Sequence, residues 1–247
     1  MKAIIFAAGV GSRLGEFTKN RPKALVEISG ITLLEAAIRK LKIHGVEEII
    51  INVHHFADMI EEYLVKKRNF NIRIELSDER EQLLETGGGL MKASWFFDDN
   101  EPFITYNVDI LTSLDISSLV RYHKTTNALV TLACKERNTQ RYFLIDKSNR
   151  LCGWENIKTG DRIDAIHVEG AVERVGYSCI TVMNPEIFDR VGEKGVFSLT
   201  PLFLRLAKEY PVIAYKHNKD YWTDIANPQR LNDAAGYFSK RDIQSLF

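Results

Sequence analysis

Short apolar runs recur along this chain, separated by stretches whose apolar residues fall at helical spacing. Ala3 to Ala8 is the first run, long enough for one buried strand, and it breaks at Gly9, Gly11 and Ser12. Thr32, with Glu35 three positions on, predicts a capping box. It opens a helix whose stripe is Leu34, Ala37, Ile38 and Leu41 and whose end is Gly45. A strand over 48–53 follows, then a charged helix over 58–67 and a strand over 72–76. The triplet Gly87-Gly88-Gly89 interrupts that rhythm before a helix predicted over 90–97. Strand–helix alternation of this kind calls for an α/β protein, a parallel sheet covered by helices on both faces.

The second half reads differently. A strand over 102–107 runs straight into Val108 and Asp109, and Asp115 caps a helix that turns Ile116, Leu119, Val120 and His123 inward. Runs 128–134 and 143–145 look like strands with no helix between them, only a polar connection carrying Arg137, Gln140 and Arg141. Strand signal continues over 150–155 and 174–183 around a soft polar stretch, 156–164. The sheet is therefore expected to be mixed. Thr200-Pro201 and Asn227-Pro228 read as cap and first-turn pairs for two late helices, with a strand over 212–215 before the second. With no repeat, low-complexity tract or linker, residues 1–247 are expected to form one domain.

Composition mainly excludes. Lys+Arg and Asp+Glu both number 33, so no global field favours nucleic acid or a membrane surface. Cys134, Cys152 and Cys179 are an odd number without C-x-x-C spacing, which fits buried free thiols rather than disulfides or a thiolate zinc site. The six histidines offer no metal-ligand spacing. The opening apolar run is too short for a signal peptide, no stretch is long enough to cross a bilayer, and a cytoplasmic location is expected.

Chemistry enters where strands end. Gly9, Gly11 and Ser12 can form a nest of backbone N–H groups, and Arg13 and Lys23 add full positive charge, a combination suited to phosphate oxygens. An ordinary tight turn with two surface cations would use the same residues. Asp109 sits at a strand end, where ligands collect in open α/β sheets. Beside bound phosphates a carboxylate there needs a cation, and Mg²⁺ held by one or two carboxylates plus phosphate oxygens is the usual arrangement. A cap on the following turn is the plainer role. Asp224, between Tyr221-Trp222 and Asn227, is the second candidate ligand. Three successive glycines cost backbone entropy, which close approach of a base or ribose would justify, as would a helix start at Gly89. His54-His55 belongs to a loop or crevice wall, and the run Asp78 to Glu81 reads as a solvated face.

Together, Gly9-Val-Gly-Ser-Arg13-Leu, Thr18, Pro22-Lys23, Glu85-Thr-Gly-Gly-Gly89, Asn107-Val-Asp109 and Trp222-Thr-Asp224 resemble the sugar-phosphate nucleotidyltransferase family, across residues 2 to about 235. The chain looks most like its short members. The resemblance implies a Rossmann-like fold of the glycosyltransferase-A type. It also implies attack of a sugar 1-phosphate on the α-phosphorus of a nucleoside triphosphate (UTP, GTP or CTP) with release of pyrophosphate. Arg13 would hold the triphosphate, Lys23 the reacting phosphate, and Asp109 and Asp224 a Mg²⁺ ion. Ala8, Gly9, Thr86 and Gly87 would line the base pocket, with Gly11 and Ser12 in the same nucleotide loop, and Tyr177 and Ser178 would belong to the acceptor pocket. A monomer or homodimer is expected.

Three departures stand out: Gly15-Glu16 after Arg13-Leu14, Val108 before Asp109, and Cys179 where the family's acceptor stretch has glycine. The first also occurs in cytidylyltransferases acting on phosphocholine-like substrates, which is therefore an alternative. A glycosyltransferase should carry D-x-D, but Asn107 occupies its first position and the Arg13/Lys23 loop would be unexplained. A catalytically inactive nucleotide-binding subunit has no need of Arg13, Lys23, Asp109 and Asp224 together.

Overall fold

The computed structural model describes residues Met1–Phe247. Strand β1 (Lys2–Phe6) lies at the centre of its parallel half because alternate residues are apolar on both sides. A hairpin of β2 (Glu27–Ile28) and β3 (Ile31–Thr32) leads into α1 (Leu33–Ile43). Then follow β4 (Glu48–Val53), α2 (Ala57–Lys66) and β5 (Arg73–Asp78). Next come α3 (Glu85–Lys92), β6 (Phe103–Asn107), β7 (Ile110–Thr112) and α4 (Ile116–Thr126). The second half supplies β8 (Val130–Lys135), β9 (Arg141–Ile145), β10 (Leu151–Asn156), β11 (Arg162–Asp164) and the long β12 (Glu173–Met183). It closes with α5 (Ile187–Arg190), α6 (Leu199–Leu206), β13 (Val212–Lys216), β14 (Trp222–Asp224) and α7 (Pro228–Phe238).

Ten strands form one sheet with the path β11-β10-β9-β12-β6-β1-β4-β5, and β8 and β13 extend from β12. β6, β1, β4 and β5 are parallel, whereas β12 runs antiparallel to β6, β8 and β9. The mixed sheet expected for the second half is what forms. Ile4, Phe6 and Ile50 pack on one face with α3 and α6; Ala3, Ile5, Ile49 and Ile51 pack on the other with α1, α2 and α4. A smaller cluster under α7 joins Leu14 and the β2–β3 hairpin to the C-terminal residues. No helix is long and apolar enough to cross a membrane.

Several local expectations need correction. Helix α3 starts at Glu85, not Leu90, and holds all three glycines inside it. Packing overrides their poor helix propensity. A Cβ at Gly87 would overlap the Phe197 ring, one at Gly88 the Gly195 carbonyl, and one at Gly89 would lie 2.7 Å from Glu79 Oε1. The cap of α6 is Ser198 rather than Thr200, and the Leu199 N–H is bound 3.1 Å away by Thr86 Oγ1. Only half of the α1 box forms: Thr32 accepts from the Glu35 N–H at 3.0 Å, while the Glu35 carboxylate turns to Arg39, Tyr63 and Lys67. The soft stretch 156–164 contains β11, hairpinned onto β10. Within the run 78–81, Glu79 is fully buried.

Candidate active site

The first loop is built on hydrogen bonds that the chain supplies to itself. Gly11 adopts φ +69°, a left-handed conformation that glycine takes without strain, and a side chain there would crowd Thr18 and the stem of Lys23 at 3.1 Å. Buried Thr18 clamps the loop by donating to the Gly11 and Gly15 carbonyls at 3.0 and 3.3 Å. At the loop's start, the Ala7 and Ala8 N–H groups donate to Asn52 Oδ1 at 2.7 and 3.3 Å. Asn52 in turn donates to Glu79 Oε1 at 2.8 Å, and Glu79 Oε2 accepts from the Leu84 N–H at 3.0 Å. One buried amide and one buried carboxylate therefore tie the loop after β1 to the approach to α3. Neither was singled out in the sequence: Asn52 reads as a strand residue, and Glu79 is hidden within a charged run.

β6 ends at Asn107, and the chain turns at once into β7. The Tyr106 hydroxyl donates to the Ile110 carbonyl at 3.0 Å and the Val108 N–H to the Phe6 carbonyl at 3.1 Å, which together fix the turn that presents Asp109. β7 pairs antiparallel with β14, placing Asp224 opposite Ile110, and the Ile225 N–H donates to the Asp109 carbonyl at 2.9 Å. Two aspartates far apart in sequence thus stand at the adjacent ends of two paired strands. Asp109 forms an ion pair with Lys23. Arg230 Nη1 lies 2.9 Å from Asp224 Oδ1 but outside hydrogen-bond geometry, and that buried oxygen accepts no hydrogen bond.

Both carboxylates open into a cavity of about 430 Å³ together with Arg13, Thr86, Arg137, Arg141 and Tyr177. A second cavity, about 270 Å³, is lined by Ala8, Gly9, Asn52 and Thr86, with Glu85 and Ser198, so Thr86 is common to both. Gly11 and Ser12 line neither. Gly87 is also outside them, its N–H donating to the Phe197 carbonyl at 2.9 Å. Ser178 lines neither cavity, being fully buried with its hydroxyl 2.8 Å from His217 Nε2. Burial, with Lys135 and Arg137 adding to it, lowers the pKa of His217 to about 4, so the ring is neutral near pH 7.

Ser178 sits within an irregular stretch of β12. In β12, four steps from Tyr177 to Thr181 oppose two in β8, a bulge in which Cys179 adopts φ +59°. Cys179 lines the cavity, and burial, with Asp109 and Asp224 adding to it, pushes the pKa of its thiol up to about 12. Cys134, Cys152 and Cys179 are all free, Cys179 being half-buried.

An α/β sheet with a glycine loop after its first strand, and a cavity holding two carboxylates and several cations at the strand ends, defines a phosphate-handling enzyme of the Rossmann-like class. The sequence profile of the nucleotidyl transferase family matches residues 2–151. The chain belongs to that family. It is 29% identical over 233 residues to an N-acetylmuramate alpha-1-phosphate uridylyltransferase of Caulobacter vibrioides, covering 92% of each chain. It is 29% identical over 259 residues to a UTP–glucose-1-phosphate uridylyltransferase of Synechocystis, covering 100% of this chain and 65% of that one. Its fold is similar to the crystal structure of HddC from Yersinia pseudotuberculosis, with a TM-score of 0.76 over 96% of this chain and 99% of that one, at 23% identity.

Proposed function

We propose that this nucleotidyltransferase joins a nucleoside monophosphate, taken from a nucleoside triphosphate, to a sugar 1-phosphate. An oxygen of the acceptor phosphate bonds to the α-phosphorus. The bond from that phosphorus to the α,β-bridging oxygen breaks, and pyrophosphate leaves with the electron pair. A phosphate dianion is already ionised near neutral pH, so no general base is required. Alignment and neutralisation of charge supply the catalysis.

The observation that carries this reading is the meeting of Asp109 and Asp224 in one cavity with Arg13, beside Lys23. Arg13 is exposed at the cavity edge, placed to hold the triphosphate and the departing pyrophosphate. Lys23 is placed to follow the reacting phosphate. The carboxylate pair, one oxygen of which lacks a hydrogen-bond partner, suits a hard cation that completes its shell with phosphate oxygens. Asp109 and Asp224 would hold Mg²⁺, which when bound neutralises phosphate charge. Ala8, Gly9 and Thr86 bound the smaller cavity, where the base is expected to lie.

Both relatives described above are uridylyltransferases by name, which makes UTP the first donor to test. The experiment is pyrophosphate release from UTP, GTP, CTP and ATP against a panel of sugar 1-phosphates, phosphocholine and other phosphorylated alcohols, with and without Mg²⁺. Turnover with UTP and a sugar 1-phosphate is expected. Turnover with CTP and phosphocholine alone would replace the reading by the cytidylyltransferase alternative.

A further inference from the structure

The proposed reaction leaves one half-buried cation of the cavity without a task. Arg137 stands on the connection from β8 to β9, its guanidinium 4.2 Å from the centre of the Trp222 ring. Nη2 donates to the Tyr177 carbonyl at 2.9 Å, while Nε is buried with no partner. Gly176 provides the seat, since a Cβ there would approach Nε to 2.8 Å. Asp109 and Asp224 face Lys23 and Arg230, but no carboxylate pairs with Arg137. Burial draws its pKa below the ordinary arginine range. A partly desolvated guanidinium without a counter-charge is stabilised by an anion at its remaining, outward N–H groups.

The location says which anion. Arg137 shares its cavity with Asp109 and Asp224 and with an aromatic wall of Tyr142, Phe143, Trp154 and Tyr177. Rings of that kind suit the apolar face of a sugar, and the cavity expected for the base is a separate one that shares only Thr86. A guanidinium lying over an indole face keeps N–H groups at its edge for oxygen atoms, which suits phosphate.

We propose that Arg137, held on Trp222, receives the phosphate of the acceptor and so aims it at the carboxylate pair. The inference rests on the phosphorylated acceptor proposed above. Arg13 serves the triphosphate and Arg137 serves the acceptor.

The test compares Arg137→Met, Arg137→Lys and Arg13→Met with the wild type by steady-state kinetics, and by calorimetric titration with inorganic phosphate alone. Arg137→Met is expected to raise the acceptor KM about 10- to 100-fold while the triphosphate KM stays within about twofold, the loss of one charge-assisted phosphate contact. Arg137→Lys should fall between, because it keeps the charge and loses the planar, forked donor set. Inorganic phosphate should bind Arg137→Met at least about tenfold more weakly than the wild type, while Arg13→Met reports the phosphate taken up at the triphosphate loop. An unchanged acceptor KM, a triphosphate KM rising in step with it, or equal phosphate binding by Arg137→Met overturns the proposal. If the wild type turns over no donor–acceptor pair, the proposed reaction fails, and the phosphate titration alone decides whether Arg137 holds an oxyanion. Should Arg137→Met not fold, Arg137→Lys and Trp222→Leu carry the same comparison.

Discussion

The two ends of the cavity are built on opposite plans. At the glycine loop, Thr18, Asn52 and Glu79 satisfy the backbone through hydrogen bonds inside the protein, and the packing is close enough that a methyl group on Gly89 would collide with two side chains. At the β8–β12 end, polar capacity is left over: Arg137 Nε and His217 Nδ1 are buried without partners, and β12 bulges at a non-glycine residue with positive φ. The first arrangement holds one shape at little reorganisation cost. The second leaves Arg137 with hydrogen-bonding capacity that the proposed acceptor phosphate would take up. Asp109 and Asp224 lie where the two plans meet.

The largest effect should come at that seam. Asp109→Asn or Asp224→Asn is expected to slow pyrophosphate release about a thousandfold, with a melting temperature close to wild type. Full turnover by either variant removes that aspartate from the chemistry. At the glycine-loop end, Lys23→Ala should lower kcat/KM about a hundredfold, whereas Lys19→Ala, exposed and paired only with Glu16, should stay within about twofold. Equal losses would mean that the loop acts as a general positive surface rather than a shaped site.

Gly89→Ala should cost about 2 kcal/mol in denaturant unfolding, since Glu79 and Asn52 must both shift, while Gly9→Ala meets nothing and should cost far less. Similar losses at both would show that the Asn52–Glu79 bridge is slack. A further effect, at the β8–β12 end, depends on pH and acts on stability alone. The His217 pKa falls to about 4 in the folded protein, so between about pH 6.5 and 4 the unfolded chain takes up a proton that the folded one refuses. Stability from this group is complete above pH 6.5 and declines as pH falls through that window, by about 3 kcal/mol. Melting curves of His217→Gln should lack that part of the decline. Parallel curves for variant and wild type would place the acid sensitivity elsewhere.

What the sequence determined by itself was local and periodic. The strand runs, the Thr32, Asp115 and Asn227 caps, the mixed second half and the strand-end positions of Asp109 and Asp224 follow from spacing and short-range chemistry, which act between residues a few positions apart. Tertiary structure decided whatever depended on a distant neighbour. It drew Gly87–Gly89 into a helix because Phe197, Gly195 and Glu79 leave no room for side chains, and it buried Glu79 from within a charged run because Asn52 and the Leu84 N–H needed a carboxylate. It also turned Ser178 to His217 through a bulge that no spacing announces, and seated Arg137 on a tryptophan 85 positions away. Periodicity reports which face of an element is apolar. Only the assembled sheet determines which groups from opposite ends of the chain share a cavity, and the chemistry depends on that sharing.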